Sequence, residues 1–333
     1  MAEGNVGSTG GDGRNEGAEL RPGYVAPADP VPHKGTPQPI VQMMGVLLLI
    51  MCAAVLIFEI YTVFWGFGEI WSKLDGVRLG VLILTPSPDI LMYLTGTWAK
   101  LYYLFIVVAV LVSFALLIYA SRSGIKDLLR FKTDKIHLMP IYSVVTLFAA
   151  VIAFNIVVNM LITYFGDAPS SPSFGLPWQE QYSSIYASVW EEILCRMLMI
   201  GVPIAIYALW RNEKGSWKRI FGGFEMNAAA IVLILISSAI FAYAHVDGWD
   251  VYKTIPTFAA GLAMGYLFVK YGIYAPIMLH FLINYMSSFE WVLGDAGIIL
   301  TGLLILATIV FGAVFFVVHV KHGLEYMKKV LKL

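Results

Sequence analysis

Trp190-Glu191-Glu192-Ile193-Leu194-Cys195-Arg196 places two carboxylates and a guanidinium in one short run of an otherwise apolar region. Phe241 and His245 follow, four residues apart, and then His280 and Asn284, again four apart. Four residues is a little more than one helical turn, so each pair shares a helix face. Glu192 and Arg196 have the same spacing and can pair, whereas Glu191 points about 100° away around the axis. One acid is thereby neutralised and the other is left to find a partner on another segment. A base for water, a proton donor and an oxyanion stabiliser are what hydrolysis needs. Glu191 with His245 could activate a water, and His280 with Asn284 could hold the oxyanion of an attacked peptide carbonyl. No serine–histidine–acid or cysteine–histidine set is as compact, and Ser237 and Ser238 read as packing residues.

Each group also has a plainer use. Glu192 and Arg196 could be a buried ion pair locking two helices, His245 a satisfied histidine at a helix end, and His280 with Asn284 interhelical polar glue. None of these uses explains Glu191. A metal is another possibility, since two histidines and a glutamate form a known catalytic zinc shell. Glu191, His245 and His280 would then be the ligands, although the His-Glu-x-x-His helix signature is absent. A proton or ion relay through Glu191, Glu192 and His280 would suit a transporter, but no internal repeat supports one.

The elements that must position these groups are set by composition. Of 333 residues, 59% are hydrophobic and 13% charged, with zero formal net charge, which describes a polytopic membrane protein and gives no sign of nucleic-acid binding. A bilayer crossing takes about 20 apolar residues as helix. Eight runs qualify, at 40–66, 98–120, 138–163, 181–210, 227–246, 253–269, 272–290 and 296–320. The expected fold is therefore an all-α bundle of about eight transmembrane helices. Residues 1–39 read as a disordered tail, including His33, which reads as solvated. The first three spans occupy 40–179, a four-helix catalytic core 180–290, and the last span with a basic tail 291–333. Between the first two spans, Pro86, Ser87 and Pro88 exclude a helix, and Trp65, Trp71 and Trp98 suit an interface. Lysines and arginines in 121–137, 211–226 and the C-terminal tail place both termini in the cytoplasm of a multi-pass cell-membrane protein. Cys52 and Cys195 read as small buried apolar residues.

Glu191-Glu192-x-x-x-Arg196, Phe241-x-x-x-His245 and His280-x-x-x-Asn284 resemble the three motifs of the CAAX protease and bacteriocin-processing membrane proteins, which include the type II CAAX prenyl endopeptidases. Ala275-Pro276-Ile277-Met278-Leu279-His280 also resembles the last motif, and the likeness covers about 180–290. It implies an intramembrane endopeptidase acting on a membrane-associated, CAAX-type protein or peptide in the bilayer. Glu191 and His245 would activate water, His280 and Asn284 would form the oxyanion hole, and Glu192, Arg196 and Phe241 would support them. A metal-free glutamate mechanism and a zinc-dependent one both remain open, as does a non-enzymatic scaffold of the same fold. Cys195 and Met197 depart from the phenylalanine and glycine that often flank the arginine in the family.

Overall fold

The computed structural model describes residues 39–84, 88–133, 135–166, 175–246 and 248–331. The expected disordered tail, His33 included, lies outside the described residues except for Pro39, as do Pro86 and Ser87. Long apolar runs become long helices: α1 (Pro39–Lys73), α2 (Thr97–Leu129), α3 (Pro140–Tyr164) and α10 (Asp295–Leu331). A fifth long helical unit, Pro177–Trp210, consists of α4 (Pro177–Glu192), a π-helical segment (Ile193–Gly201) and α5 (Val202–Trp210). These five are long and apolar enough to cross a membrane.

The other three expected spans are shorter. They are α6 (Ala228–Tyr243), α7 (Thr254–Tyr271) and α8 (Tyr274–Asn284), of 16, 18 and 11 residues, followed by the short α9 (Ser288–Leu293). Eleven residues of helix extend only about 16 Å, roughly half a bilayer's hydrocarbon thickness. α8 is apolar on all sides and buried by protein, with Ala275 through Leu282 enclosed. The sequence-based count of eight is therefore supported for five.

α3 is the pillar of the bundle. In its most apolar window 61% of residues are buried, against 22% for α10, whose outer face presents Leu303, Leu306, Val310 and Val317 to the surroundings. The two helices approach closely because Gly312 leaves no room for a side chain against the Ala149 backbone, and Phe154 stacks on Phe316 at 5.1 Å between ring centroids. α6 and α7 close in the same way. Gly261 lies against Ser238 and Gly265 against Ile234, a small-residue pair one turn apart that brings two helices together.

The segment between α1 and α2 holds an antiparallel hairpin that the sequence reading missed: β1 (Arg78–Leu84) and β2 (Pro88–Thr95), with a register shift between Val81 and Leu82. Arg-Leu-Gly-Val-Leu-Ile-Leu and Asp-Ile-Leu-Met-Tyr-Leu are apolar, with Val81, Ile83, Ile90 and Tyr93 favouring extended backbone, but too short for a span. Leu82 fixes the hairpin to α4. Its N–H donates to the Tyr186 hydroxyl at 3.2 Å, and its carbonyl accepts from Trp190 Nε1 at 2.8 Å. Those two side chains are four residues apart on α4, so one helix face satisfies both backbone groups of one strand residue.

Candidate active site

The Glu192–Arg196 pair forms as the spacing expects, with Arg196 Nε donating to Glu192 Oε2 at 3.2 Å and both side chains fully buried. The geometry is built at the α4-to-π junction. A π-helical turn widens the backbone around Arg196, a feature common at functional sites. It ends where Gly201 and Pro203 fall, Pro203 having no N–H to continue the ladder.

An arginine fully buried in a helical bundle needs more than one acceptor. Its Nη1 donates to Ser237 Oγ at 2.7 Å, and the Ser237 hydroxyl in turn donates to the Cys195 carbonyl at 2.6 Å. Nη2 reaches Met264 Sδ at 3.7 Å, and the guanidinium lies over the Phe241 ring with its carbon 5.1 Å from the centroid. Ser237, read from sequence as a packing residue, is instead a hydrogen-bonding member of this cluster. Its only sequence signal was a hydroxyl at helical depth, which is shared with Ser238. Cys195 and Cys52 are both buried and free.

His280 sits between the two glutamates. Its Nδ1 is 3.0 Å from Glu192 Oε1, and its Nε2 is 3.8 Å from Glu191 Oε2. His245 lies in the turn just past α6, with Nδ1 2.8 Å from the Phe241 carbonyl and Nε2 3.9 Å from the same Glu191 oxygen. A carbonyl oxygen only accepts, so His245 Nδ1 carries the hydrogen and, in the neutral ring, Nε2 is a bare lone pair. Phe241 packs edge-on against both imidazoles, with centroids 4.8 Å from His245 and 5.8 Å from His280. Asp247, two residues beyond His245, lies outside the described residues.

Glu191 is thus the point on which both histidines converge. Its Oε2 is buried without a hydrogen-bond partner, while the side chain as a whole is 25% exposed. Gaps of 3.8 and 3.9 Å are too long for direct hydrogen bonds and short enough for a bridging water. Asn284, the last residue of α8, is turned toward α4. Its Nδ2 lies 3.5 Å from the Ser184 carbonyl and 3.5 Å from Ser188 Oγ. The site thus gathers Glu191, Glu192, Arg196, Phe241, His245 and His280 around one point. Asn284 borders it through Ser188, a neighbour that the sequence reading did not single out. Among the described residues, no group of three His, Cys, Asp or Glu side chains is spaced to hold a metal ion.

Residues 174–286 match the family model for type II CAAX prenyl endopeptidase Rce1-like proteins. No curated protein and no solved structure matches the chain. The matched segment runs from just before α4 to just after α8 and contains every residue of the three motifs, which supports assignment to the CAAX protease family.

Proposed function

We propose that this multi-pass membrane protein of the CAAX protease family is a glutamate-type intramembrane endopeptidase that cleaves a peptide bond near the C-terminus of a prenylated, CAAX-type protein or peptide. The observation that carries the reading is the buried, unpartnered Oε2 of Glu191, faced by two imidazole nitrogens at water-bridging distance. The family description supplies the substrate class.

In this mechanism a water donates one hydrogen to Glu191 Oε2 and the other to the bare Nε2 of His245. Its lone pair is then aimed at the scissile carbonyl. Glu191 removes the proton as the oxygen adds to the carbonyl carbon, giving a tetrahedral oxyanion. When His280 is doubly protonated, it donates Nδ1–H to Glu192 and presents Nε2–H beside Glu191, where the oxyanion can accept it. Asn284 exchanges its long contacts to Ser184 and Ser188 for a second bond to the same oxygen. The C–N bond then breaks, and the proton held by Glu191 passes to the leaving amine. Glu192 and Arg196 keep His280 oriented and keep the charge count of the buried site balanced.

A zinc-dependent variant would use Glu191, His245 and His280. The filled Nδ1 positions favour it, since metal-binding histidines usually donate their second nitrogen in this way. The spacing of the three groups does not. The water mechanism expects cleavage to persist after exhaustive chelation. Loss of cleavage on chelation, with recovery on adding Zn²⁺, would establish the metal variant.

Incubating purified protein in lipid nanodiscs with a farnesylated CAAX peptide, and following release of the terminal tripeptide by mass spectrometry, tests the function. Cleavage by the wild-type chain that disappears in Glu191→Gln is expected. No release by the wild type, or equal release by both, would refute the reading.

A further inference from the structure

Lys253 carries a charge beside the catalytic turn, and the hydrolytic mechanism leaves it unused. α6 ends at Tyr243, and the chain turns through His245 before α7 begins at Thr254. The Trp249 N–H donates to the His245 carbonyl at 3.0 Å, so its backbone is fixed to the turn that presents the catalytic imidazole. Lys253 Nζ lies 3.9 Å from the centroid of the Trp249 ring. Between them in sequence, Asp250 has φ 146° and ψ 177°, a region that essentially glycine alone enters, and strain of this kind clusters at functional sites. Its Oδ1 accepts from the Tyr252 N–H at 2.9 Å and so holds the short turn that ends at Lys253.

The other lysines and arginines of the 174–286 segment are engaged or lie elsewhere. Arg196 is bonded to Glu192. Arg211 and Arg219 pair with Glu213, and together with Lys214 and Lys218 they belong to the connection that leads into the start of α6, whereas His245 follows its end. Lys270 is in the last turn of α7, whereas Lys253 immediately precedes the first. Among the described residues of that segment, Lys253 is therefore the cation at the His245 end of α6 and α7. Asp250 is within electrostatic reach, but the close contact of the ammonium is with the indole face, which leaves its N–H groups able to donate. His245, Trp249 and Lys253 are each partly exposed, so a peptide end can reach the ammonium from outside.

We propose that Lys253 receives the C-terminal carboxylate of the substrate and thereby sets the length of the peptide released. A carboxylate brought into a half-buried site is costly unless a cation meets it, and an ammonium on a flexible stem can turn from the indole face to do so. Cleavage at Glu191 and His245 leaves a terminal tripeptide on the leaving side, and three extended residues span at most about 10 Å. One backbone turn, one indole and one 3.9 Å contact separate the His245 carbonyl from the ammonium, a reach of the same order. The tripeptide length rests on the protease reading, whereas capture of a carboxylate does not.

Fluorescence anisotropy of a dye-labelled farnesylated CAAX peptide, bound to the full Glu191→Gln chain in nanodiscs, compares a free C-terminal acid with its amide in the absence of turnover. The acid should bind about tenfold more tightly. Lys253→Gln in the same chain should weaken the acid to the level of the amide, and Lys253→Arg, which keeps the charge, should retain most of the preference. In the wild type, amidation should raise KM about tenfold with little change in kcat. Equal binding of acid and amide by the Glu191→Gln chain overturns the proposal, as does an acid preference that survives Lys253→Gln. An acid preference that Lys253→Gln removes, in a protein whose wild type cleaves neither peptide, upholds Lys253 and sinks the protease reading. Cleavage of acid and amide with equal kcat/KM upholds the protease and sinks Lys253.

Discussion

On one side of the α4–π junction, Glu192 is bonded at both oxygens, by Arg196 and by His280, and Arg196 is passed on to Ser237 and the Cys195 carbonyl. On the other side, Glu191 faces His245 and His280 across gaps that no protein atom fills. The two acids are neighbours in the chain, and the helical rotation between them separates their fates. The closed side satisfies its charges internally, which makes a buried ion pair tolerable but leaves it nothing to do chemically. The open side retains an unsatisfied oxygen, the condition for binding a reacting water. Holding one acid shut is what lets the other stay open at membrane depth, because His280 is positioned by Glu192 and presented to Glu191.

The sharpest way to break this comparison is to remove the open side's base. Glu191→Gln should reduce turnover by about 10²–10⁴, the usual range for a general base, with little change in melting temperature, as measured by cleavage kinetics and thermal unfolding in detergent. A large loss of stability would mean that Glu191 belongs to the closed cluster. Next in size, Arg196→Ala should destabilise the protein by about 3–5 kcal/mol, because Glu192 is left buried with its main counter-charge removed. Chemical denaturation would read this, and a neutral outcome would contradict the assignment of the pair as structural.

Ser237→Ala should cost about 1–3 kcal/mol, since it leaves an Arg196 N–H and the Cys195 carbonyl unmatched in the same step. The smallest effect expected is at the hairpin. Tyr186→Phe removes the acceptor for the Leu82 N–H, costing about 1 kcal/mol and accelerating exchange of that single amide in a hydrogen–deuterium measurement. Unchanged exchange at Leu82 would mean that the hairpin is not tethered to the catalytic helix there.

Periodicity and residue chemistry made much of the site legible. The four-residue spacings of Glu192–Arg196 and Phe241–His245 correspond to real contacts, and the offset of Glu191 corresponds to its separate partners. Those are properties of one helix turn, which a sequence displays directly. Contacts between helices were not legible. Nothing local distinguishes Ser237, which meets Arg196, from Ser238, which packs against Gly261. That His280 would touch both glutamates depends on how α8 sits against α4, a matter of packing between segments 88 positions apart. The hairpin was missed because Pro86 and Pro88 excluded a helix without specifying what replaced it. Five of the eight expected spans are helices long and apolar enough to cross a membrane; hydropathy does not separate burial in lipid from burial in protein, and α8 is buried in protein.

The central claim is that the two adjacent glutamates divide base and scaffold between them. Glu191→Gln and Glu192→Gln, purified in parallel and measured for both farnesylated-peptide cleavage and thermal unfolding, test it most directly. The account predicts that Glu191→Gln folds with a wild-type melting temperature and does not cleave, while Glu192→Gln melts well below the wild type and retains measurable cleavage at low temperature. Retained cleavage in Glu191→Gln, or a Glu192→Gln protein of wild-type stability that does not cleave, would contradict it.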